Sequence, residues 1–585
     1  MTPPQAQIAI LDAGGQYCHL IARKIRELGV YAEVLPSDTP APHLASRPGI
    51  IISGGPASVY APDSPSVDPA IFRSGAAVLG ICYGQQLMAH LLGGRVAAGE
   101  RGEYGPATLQ VLRPDRLFRH TPPRQRVWMS HRDLVVEVPS GFSILASTGS
   151  CPIAALGDPV RRLWGVQFHP EVAHTEAGRQ ILENFVFDIC GCRRDWSVRG
   201  RVAQLEAEIR DAVGDRNVFF FVSGGVDSTV AYTLCLRALG PERVSAFYVD
   251  TGLMRAQETE YVRSLFQSLG AEAFMVEEAG PQFLSALAGV TDPETKRHII
   301  GEQFIAVQDR ILKTGHFLDA QWILGQGTIY PDTIESGGSA KADVIKTHHN
   351  RVAGIQRLLA EGRVIEPLRF FYKDEVRQLG AELGLPNEFL RRHPFPGPGL
   401  AIRCLCARRR TAVEGTPNGF LIPVYSVGVQ GDSRTYRPIL ATENPELAQE
   451  AAELINRDTR INRVALLLGS AYPLNSFSVF PAQLSAQRLE ILRTADAIVR
   501  SLSASWGFDD RVWQFPVILI PAGVQDAPDS VVLRPVTSVD GMTADVVPLP
   551  APLAGELTHR LLALPGIAAV FCDLTPKPPG TIEWE

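Results

Sequence analysis

A cysteine with a glycine two residues to either side, Gly80-Ile-Cys82-Tyr-Gly84, follows the apolar run Ala77-Val-Leu-Gly-Ile81. This is the pattern of a nucleophile elbow: a strand ends, small residues let the chain turn sharply, and the side chain is raised at the start of a helix, here Gln85 to Leu92. Sulfur would be the nucleophile, and amides at the helix start would help form an oxyanion hole. On their own the same residues serve equally well as a buried structural cysteine. Trp164-Gly-Val-Gln-Phe-His-Pro-Glu171 shifts the balance. Residues two apart in extended chain point to one side, so Glu171 can orient the imidazole of His169 while His169 acts as base. Nucleophile, base and orienter are the set for acyl transfer, and the expected scissile bond is a carboxamide.

A second constellation is Phe219-Phe-Phe-Val-Ser-Gly-Gly-Val-Asp-Ser-Thr229. A short apolar strand stops at Ser223, Gly224 and Gly225, and Val226 to Leu239 has helical periodicity. Such a turn aims unpaired amides and the positive end of a helix dipole at one spot, and glycine lets the backbone approach a ligand closely. Phosphate is the natural guest. No Gly-Lys-Ser or Gly-Lys-Thr occurs in the chain, so the usual phosphate-binding lysine is absent and Asp227 stands in the loop. An aspartate beside phosphates calls for a cation, most simply Mg²⁺.

The elements that must position these residues alternate. Ile8-Ala-Ile-Leu11, Ile50-Ile-Ile52 and Ala77 to Ile81 read as strands, with helical spacing from Leu20 to Leu28, which predicts a parallel sheet covered on both faces. Gly191 to Asp195 reads as a linker. Val202, Leu205, Ile209 and Val213 then predict an amphipathic helix leading into the Phe219 strand. Val244 to Asp250 is a further strand, and Thr251-Gly-Leu-Met-Arg255 leaves its C-terminal end, where open parallel sheets bind ligands. By charge alone, Asp292-Pro-Glu-Thr-Lys-Arg-His298 predicts a solvated helix start. The glycine-rich, basic stretch after Leu324 predicts a lid over phosphates. Strands after residue 404 alternate less regularly with helices, which suits an α+β unit.

Three resemblances sharpen this. Gly-Ile-Cys82-Tyr-Gly-Gln-Gln and Gln-Phe-His169-Pro-Glu171-Val resemble the class I glutamine amidotransferases, which implies a thioester at Cys82, ammonia release, and oxyanion amides at Gly55 and Tyr83. Ser223-Gly-Gly-Val226-Asp227-Ser228 resembles the pyrophosphate loop of the ATP pyrophosphatases. That resemblance implies that ATP is split between its α and β phosphates, that Mg²⁺ sits on Asp227, and that Thr251 to Arg255 contacts adenosine. Gly327-Thr-Ile-Tyr-Pro-Asp332, Ile345-Lys346-Thr-His-His-Asn350, Ile365-Glu-Pro-Leu-Arg369 and Arg392-His-Pro-Phe-Pro-Gly-Pro-Gly399 are similar to the GMP synthetase signature. This likeness covers nearly the whole chain.

It implies an α/β multidomain architecture: a class I glutaminase α/β domain at 6–195, a doubly wound parallel-sheet ATP pyrophosphatase domain at 196–403, and a C-terminal α+β domain at 404–585. The implied substrates are glutamine, ATP and xanthosine 5′-monophosphate (XMP). Lys346 is the expected lysine for the pyrophosphate loop, and Arg297, Asp432, Gln514, Lys577 and Glu583 are the positions matching XMP contacts. A homodimer through the C-terminal domain is implied by the compact form of the family, from which 406–420 and 440–512 depart. A charged terminal tail is usually a solvated end, yet Pro578-Pro579 stiffens this one and Trp584 is poorly spent on solvent, which makes docking a credible alternative.

Bulk numbers agree. The chain has 585 residues, enough for about three or four domains, with 45% apolar and 20% charged residues. A net charge of −6 gives no general attraction for nucleic acid. Nine scattered cysteines argue against a disulfide framework, and Cys190/Cys192 and Cys404/Cys406 are too close for the usual zinc spacing. No leader and no apolar run near 18 residues is present, so a cytoplasmic location away from membranes is expected. A tRNA-thiolating relative would call for a basic surface and a second catalytic cysteine. A nucleotide sensor would lose Cys82 or Asp227, and a free glutaminase would not need residues 200–585.

Overall fold

The computed structural model describes residues 4–15, 17–335, 352–430, 433–448, 450–538 and 543–585. The chain divides into two compact units. The first runs to Gln204 and also takes in a stretch beginning at Ile329 and the segment Arg369–Leu379. The second holds Leu205–Thr328, a stretch ending at Leu368, and Gly380–Glu585.

The first unit is built on a nine-stranded sheet. Its parallel half, in spatial order, is Ala32–Pro36, Ile8–Asp12, Gly49–Ile52, Ala77–Ile81 and Leu163–Val166. These short strands are apolar at nearly every position because they are covered on both faces. The other half is antiparallel: Ala155–Asp158, Ser143–Ser147, and a long hairpin of Arg95–Val111 with Arg124–Glu137. An all-parallel sheet was expected from the alternation of strands and helices. The hairpin departs from it because its two consecutive strands, joined without a helix, pair antiparallel and mainly with each other, and their apolar alternation is weak.

The second unit contains a fully parallel sheet in the order Phe274–Glu278, Val244–Asp250, Asn217–Val222, Trp322–Gly325 and Val364–Ile365. The first three grow outward from Asn217–Val222 and the last two grow the other way. The topological switch point therefore lies between Asn217–Val222 and Trp322–Gly325, where such sheets bind ligands. A seven-stranded mixed sheet, from Glu414–Thr416 to Val517–Ile520, carries the helices Ala486–Ser505 and Ala551–Leu562. One apolar core joins both regions, from Phe219, Phe247 and Val307 to Leu489, Val531 and Val570. Among the described residues, no helix is long and apolar enough to cross a membrane.

Candidate active sites

Parallel registry brings the first site together. Ile81 lies opposite Val166, and Ile52 opposite Gly80, so Cys82, the Ser53-Gly-Gly55 turn and the 167–171 loop all leave the same edge of the sheet. Cys82 caps the helix Tyr83–Leu91 with φ 54° and ψ −107°. Positive φ in a residue other than glycine is strained, and it is held here by the Cys82 amide donating to Val166 O at 2.7 Å. The sulfur sits 3.5 Å from Ser130 O.

His169 is fixed from several sides. Its amide donates to Trp128 O at 3.0 Å, its carbonyl accepts from Thr175 Oγ1 at 2.6 Å, and the Tyr17 ring stands edge-on at 5.2 Å. Nδ1 donates to Glu171 Oε1 at 2.7 Å, which leaves Nε2 for the cysteine side. Burial alone would lower the His169 pKa, but the Glu171 carboxylate and the Cys82 side chain raise it to about 10. The imidazole therefore carries its proton at neutral pH.

Glycine is required around the thiol. A Cβ on Gly54 would come within 3.0 Å of His169 Cε1 and 3.5 Å of Cys82 Cβ, and one on Gly55 would strike Ala13 O at 2.3 Å. A side chain at Gly54 would thus crowd the imidazole and the thiol, while one at Gly55 would collide with the Ala13 backbone. The turn keeps its course only with glycine at both positions. Tyr83 is the first residue of the helix, so its amide has no partner within the helix.

The second site lies at the switch point of the parallel sheet. Gly225 caps the helix Val226–Leu239, and Gly224 has φ 73°. Ser223 and Ser228 brace the turn: the Ser223 amide donates to Ser228 Oγ at 3.3 Å, and the Gly225 amide to Ser223 Oγ at 3.2 Å. Gly327, from the neighbouring strand's exit, presses on the loop so closely that a Cβ there would lie 2.8 Å from the Ser228 amide nitrogen. On the other side, Asp250 closes its own loop by accepting from the Gly252 amide at 2.8 Å and from Thr259 Oγ1 at 2.6 Å. Asp227 stands half-buried in the first turn of the loop helix. A carboxylate on an amide-lined loop matches the donor set of Mg²⁺, which takes one or two carboxylates and completes its shell with substrate phosphate oxygens.

Residues 9–189 match the family model for class-I glutamine amidotransferase, 198–292 that for NAD synthase, and 502–584 that for the GMP synthase C-terminal domain. A probable glutamine-hydrolysing GMP synthase of Leptospira interrogans is 42% identical over 602 residues, covering 99% of each chain. Glutamine-hydrolysing GMP synthases of Thermobifida fusca and Aquifex aeolicus are 40% and 38% identical, over 99% of this chain and 98% and 99% of theirs. This chain belongs to the glutamine-hydrolysing GMP synthase family. Its glutaminase, ATP pyrophosphatase-type and C-terminal regions give the expected multidomain α/β organisation.

Within this GMP synthase family member, the remaining nucleotide candidates among the described residues fall in the second unit. Glu583 is held by Arg403 through a two-bond fork of 2.9 and 2.6 Å. Arg297 donates from Nη2 to the backbone oxygen of Glu585. Gln514 is buried, with its Oε1 lacking a hydrogen-bond partner. Lys577 exchanges backbone hydrogen bonds with Ala544 at 2.7 and 3.0 Å. Lys346 and Asp432 lie outside the described residues, as does most of the expected lid. Of the two readings of the tail, docking holds: Trp584 is fully buried and donates to Asp573 Oδ2 at 2.8 Å.

Sequence reasoning missed two residues here. Lys296 belongs to a segment expected to be solvated, yet it is fully buried. Arg403, which follows a Pro- and Gly-rich stretch, is likewise buried, with its guanidinium 5.4 Å from the Phe395 ring. Neither carries a local signal, because a buried cation is marked only by a partner distant in sequence.

Proposed function

We propose that this chain makes GMP from XMP, using glutamine as nitrogen donor and ATP to activate the purine. The observation that carries the reading is full-length kinship with GMP synthases in a chain that holds both a Cys82–His169–Glu171 constellation and a lysine-free phosphate loop.

At the first site Cys82 Sγ attacks the glutamine carboxamide, and the oxyanion is received by the Gly55 and Tyr83 amides. His169, oriented by Glu171, gives a proton to the departing ammonia and then takes one from the water that hydrolyses the thioester to glutamate. At the second site the XMP C2 oxygen attacks the α-phosphorus of ATP, pyrophosphate leaves into the cradle of Ser223, Gly224, Gly225, Val226, Asp227 and Ser228, and ammonia then displaces AMP to give GMP. Mg²⁺ held by Asp227 would neutralise charge on the departing pyrophosphate. No lysine is needed in the loop, because pyrophosphate is a leaving group here rather than the transferred group. Arg297 and Lys577 suit the XMP phosphate, and Gln514 and Glu583 suit base or ribose edges. Lys346 is the lysine we assign to the pyrophosphate, and Asp432 joins the XMP set.

The glutaminase is assigned to 6–195, adenylation to 196–403 and XMP binding to 404–585. Nine free cysteines support a reducing, cytoplasmic setting. A homodimer through the C-terminal region is part of the same reading. The test is direct: incubate the protein with XMP, ATP, Mg²⁺ and glutamine and quantify GMP, AMP, pyrophosphate and glutamate. Equimolar appearance of all four is expected, and glutamate without GMP would refute the assignment.

A further inference from the structure

Lys296 is a fully buried cation without a part in the chemistry above. Its ammonium donates to Ala401 O at 3.1 Å, to Cys404 O at 3.3 Å and to the Glu585 carboxylate. Glu585 is itself buried, so neither charge could sit there alone at a tolerable desolvation cost. The next residue, Arg297, reaches the backbone oxygen of the same Glu585, and its Nε is buried without a hydrogen-bond partner. One glutamate thus anchors two successive residues of the helix Pro293–Thr314.

The segment leading to Glu585 is tied down by two buried arginines. Arg534 donates to Ile582 O at 3.0 Å and Thr581 O at 2.8 Å, while Arg463 donates to Thr581 Oγ1 at 2.7 Å and Glu583 O at 3.0 Å. Both arginines are held by Asp573, at 2.6 and 3.1 Å. A buried pair therefore joins this anchored tail to a helix start, so that the placement of one constrains the other.

We infer that the Lys296–Glu585 pair is a positioning device for nucleotide binding, fixing the helix that bears Arg297 to the tail that bears Lys577 and Glu583. Its effect falls on XMP, because Arg297 is aimed by the contact and the ATP loop is not. This rests on the proposed reading of Arg297 and the tail as the XMP subsite.

The experiment uses ammonium-supported GMP synthesis by the full chain, measuring KM for XMP and for ATP separately. Removing one partner would strand a buried charge, so the principal variant is the double change Lys296→Met with Glu585→Gln, which removes both charges. A melting temperature near wild type, an XMP KM raised about 10-fold or more and an ATP KM within about twofold are expected. A folded double variant with an XMP KM within about twofold of wild type would overturn the inference. Should the double variant fail to fold, Glu585→Asp keeps the charge and shortens its reach; a raised XMP KM supports the inference and an unchanged one overturns it. Wild-type protein that makes no GMP from XMP would instead sink the underlying functional reading.

Discussion

His169 Nδ1 and Glu171 Oε1 stand 2.7 Å apart, and both side chains are buried. The carboxylate fixes the ring's orientation and keeps it protonated, with the His169 pKa raised from 6.5 to about 10. A raised folded-state pKa stabilises the fold fully below about 6.5 and loses that contribution as pH climbs through about 10. Glu171→Gln should therefore flatten the decline in thermal stability across that window, as well as lowering glutaminase turnover by about 10²-fold or more. Melting temperatures from pH 6 to pH 10.5 and glutamate release check the two halves; an unaltered pH profile in a folded variant would remove the ion pair from the account.

Cys82→Ala should abolish glutamine-supported GMP synthesis while sparing synthesis from added ammonium salt. The variant keeps the small side chain that the φ 54° turn accommodates, so the fold should survive. Parallel assays with glutamine and with ammonium chloride decide it, and loss of both activities would sink the two-site model.

Asp227→Ala should remove XMP-dependent pyrophosphate release while leaving glutamine hydrolysis at Cys82 chemically possible. The contrast matters, because a merely unfolded protein would lose both. Pyrophosphate release at rising Mg²⁺ is the measurement, and unchanged release would refute a metal role for this carboxylate.

Asp573 accepts from Arg534, Arg463 and Trp584 in a fully buried cluster, and the two arginines hold its carboxyl below the usual range despite burial. Asp573→Asn would strand two buried cations, a loss of about 3–5 kcal/mol. Because the folded-state pKa is depressed, that stability is present above the ordinary carboxylate range and fades only as pH falls through the lowered value. A reduced urea midpoint at neutral pH, narrowing toward acid, is expected.

What could be read from sequence was what is local. The helix Val226–Leu239 was bounded to the residue, because an apolar strand, two glycines and a helical period all lie within one short window. The Cys82 elbow was legible for the same reason. The Arg95–Glu137 hairpin was not, since its register shifts twice along its length and its strands show only weak apolar alternation. Nor was it visible that Tyr330 and Tyr372, amid nucleotide-site motifs, pack around Arg26 in the first unit at 4.4 and 4.8 Å. Lys296 failed for a related reason: charge in a sequence window predicts solvent unless the distant counter-charge is known.

Gly327 offers a test of the phosphate loop that alters no charged or hydrogen-bonding side chain. Its Cα lies against the backbone of the loop helix, and an added Cβ would sit 2.8 Å from the Ser228 nitrogen and 2.9 Å from the Asp227 carbonyl carbon. Both are backbone atoms, so no side chain can rotate away and the loop itself must shift by several tenths of an ångström. Gly327→Ala should therefore raise the KM for ATP by about 10-fold or more, with GMP synthesis slowed from glutamine and from ammonium alike. Glutamine hydrolysis measured without nucleotides should be unchanged. If the ATP KM of a folded Gly327→Ala protein stays at the wild-type value, the Ser223–Ser228 turn is not where the pyrophosphate of ATP is held.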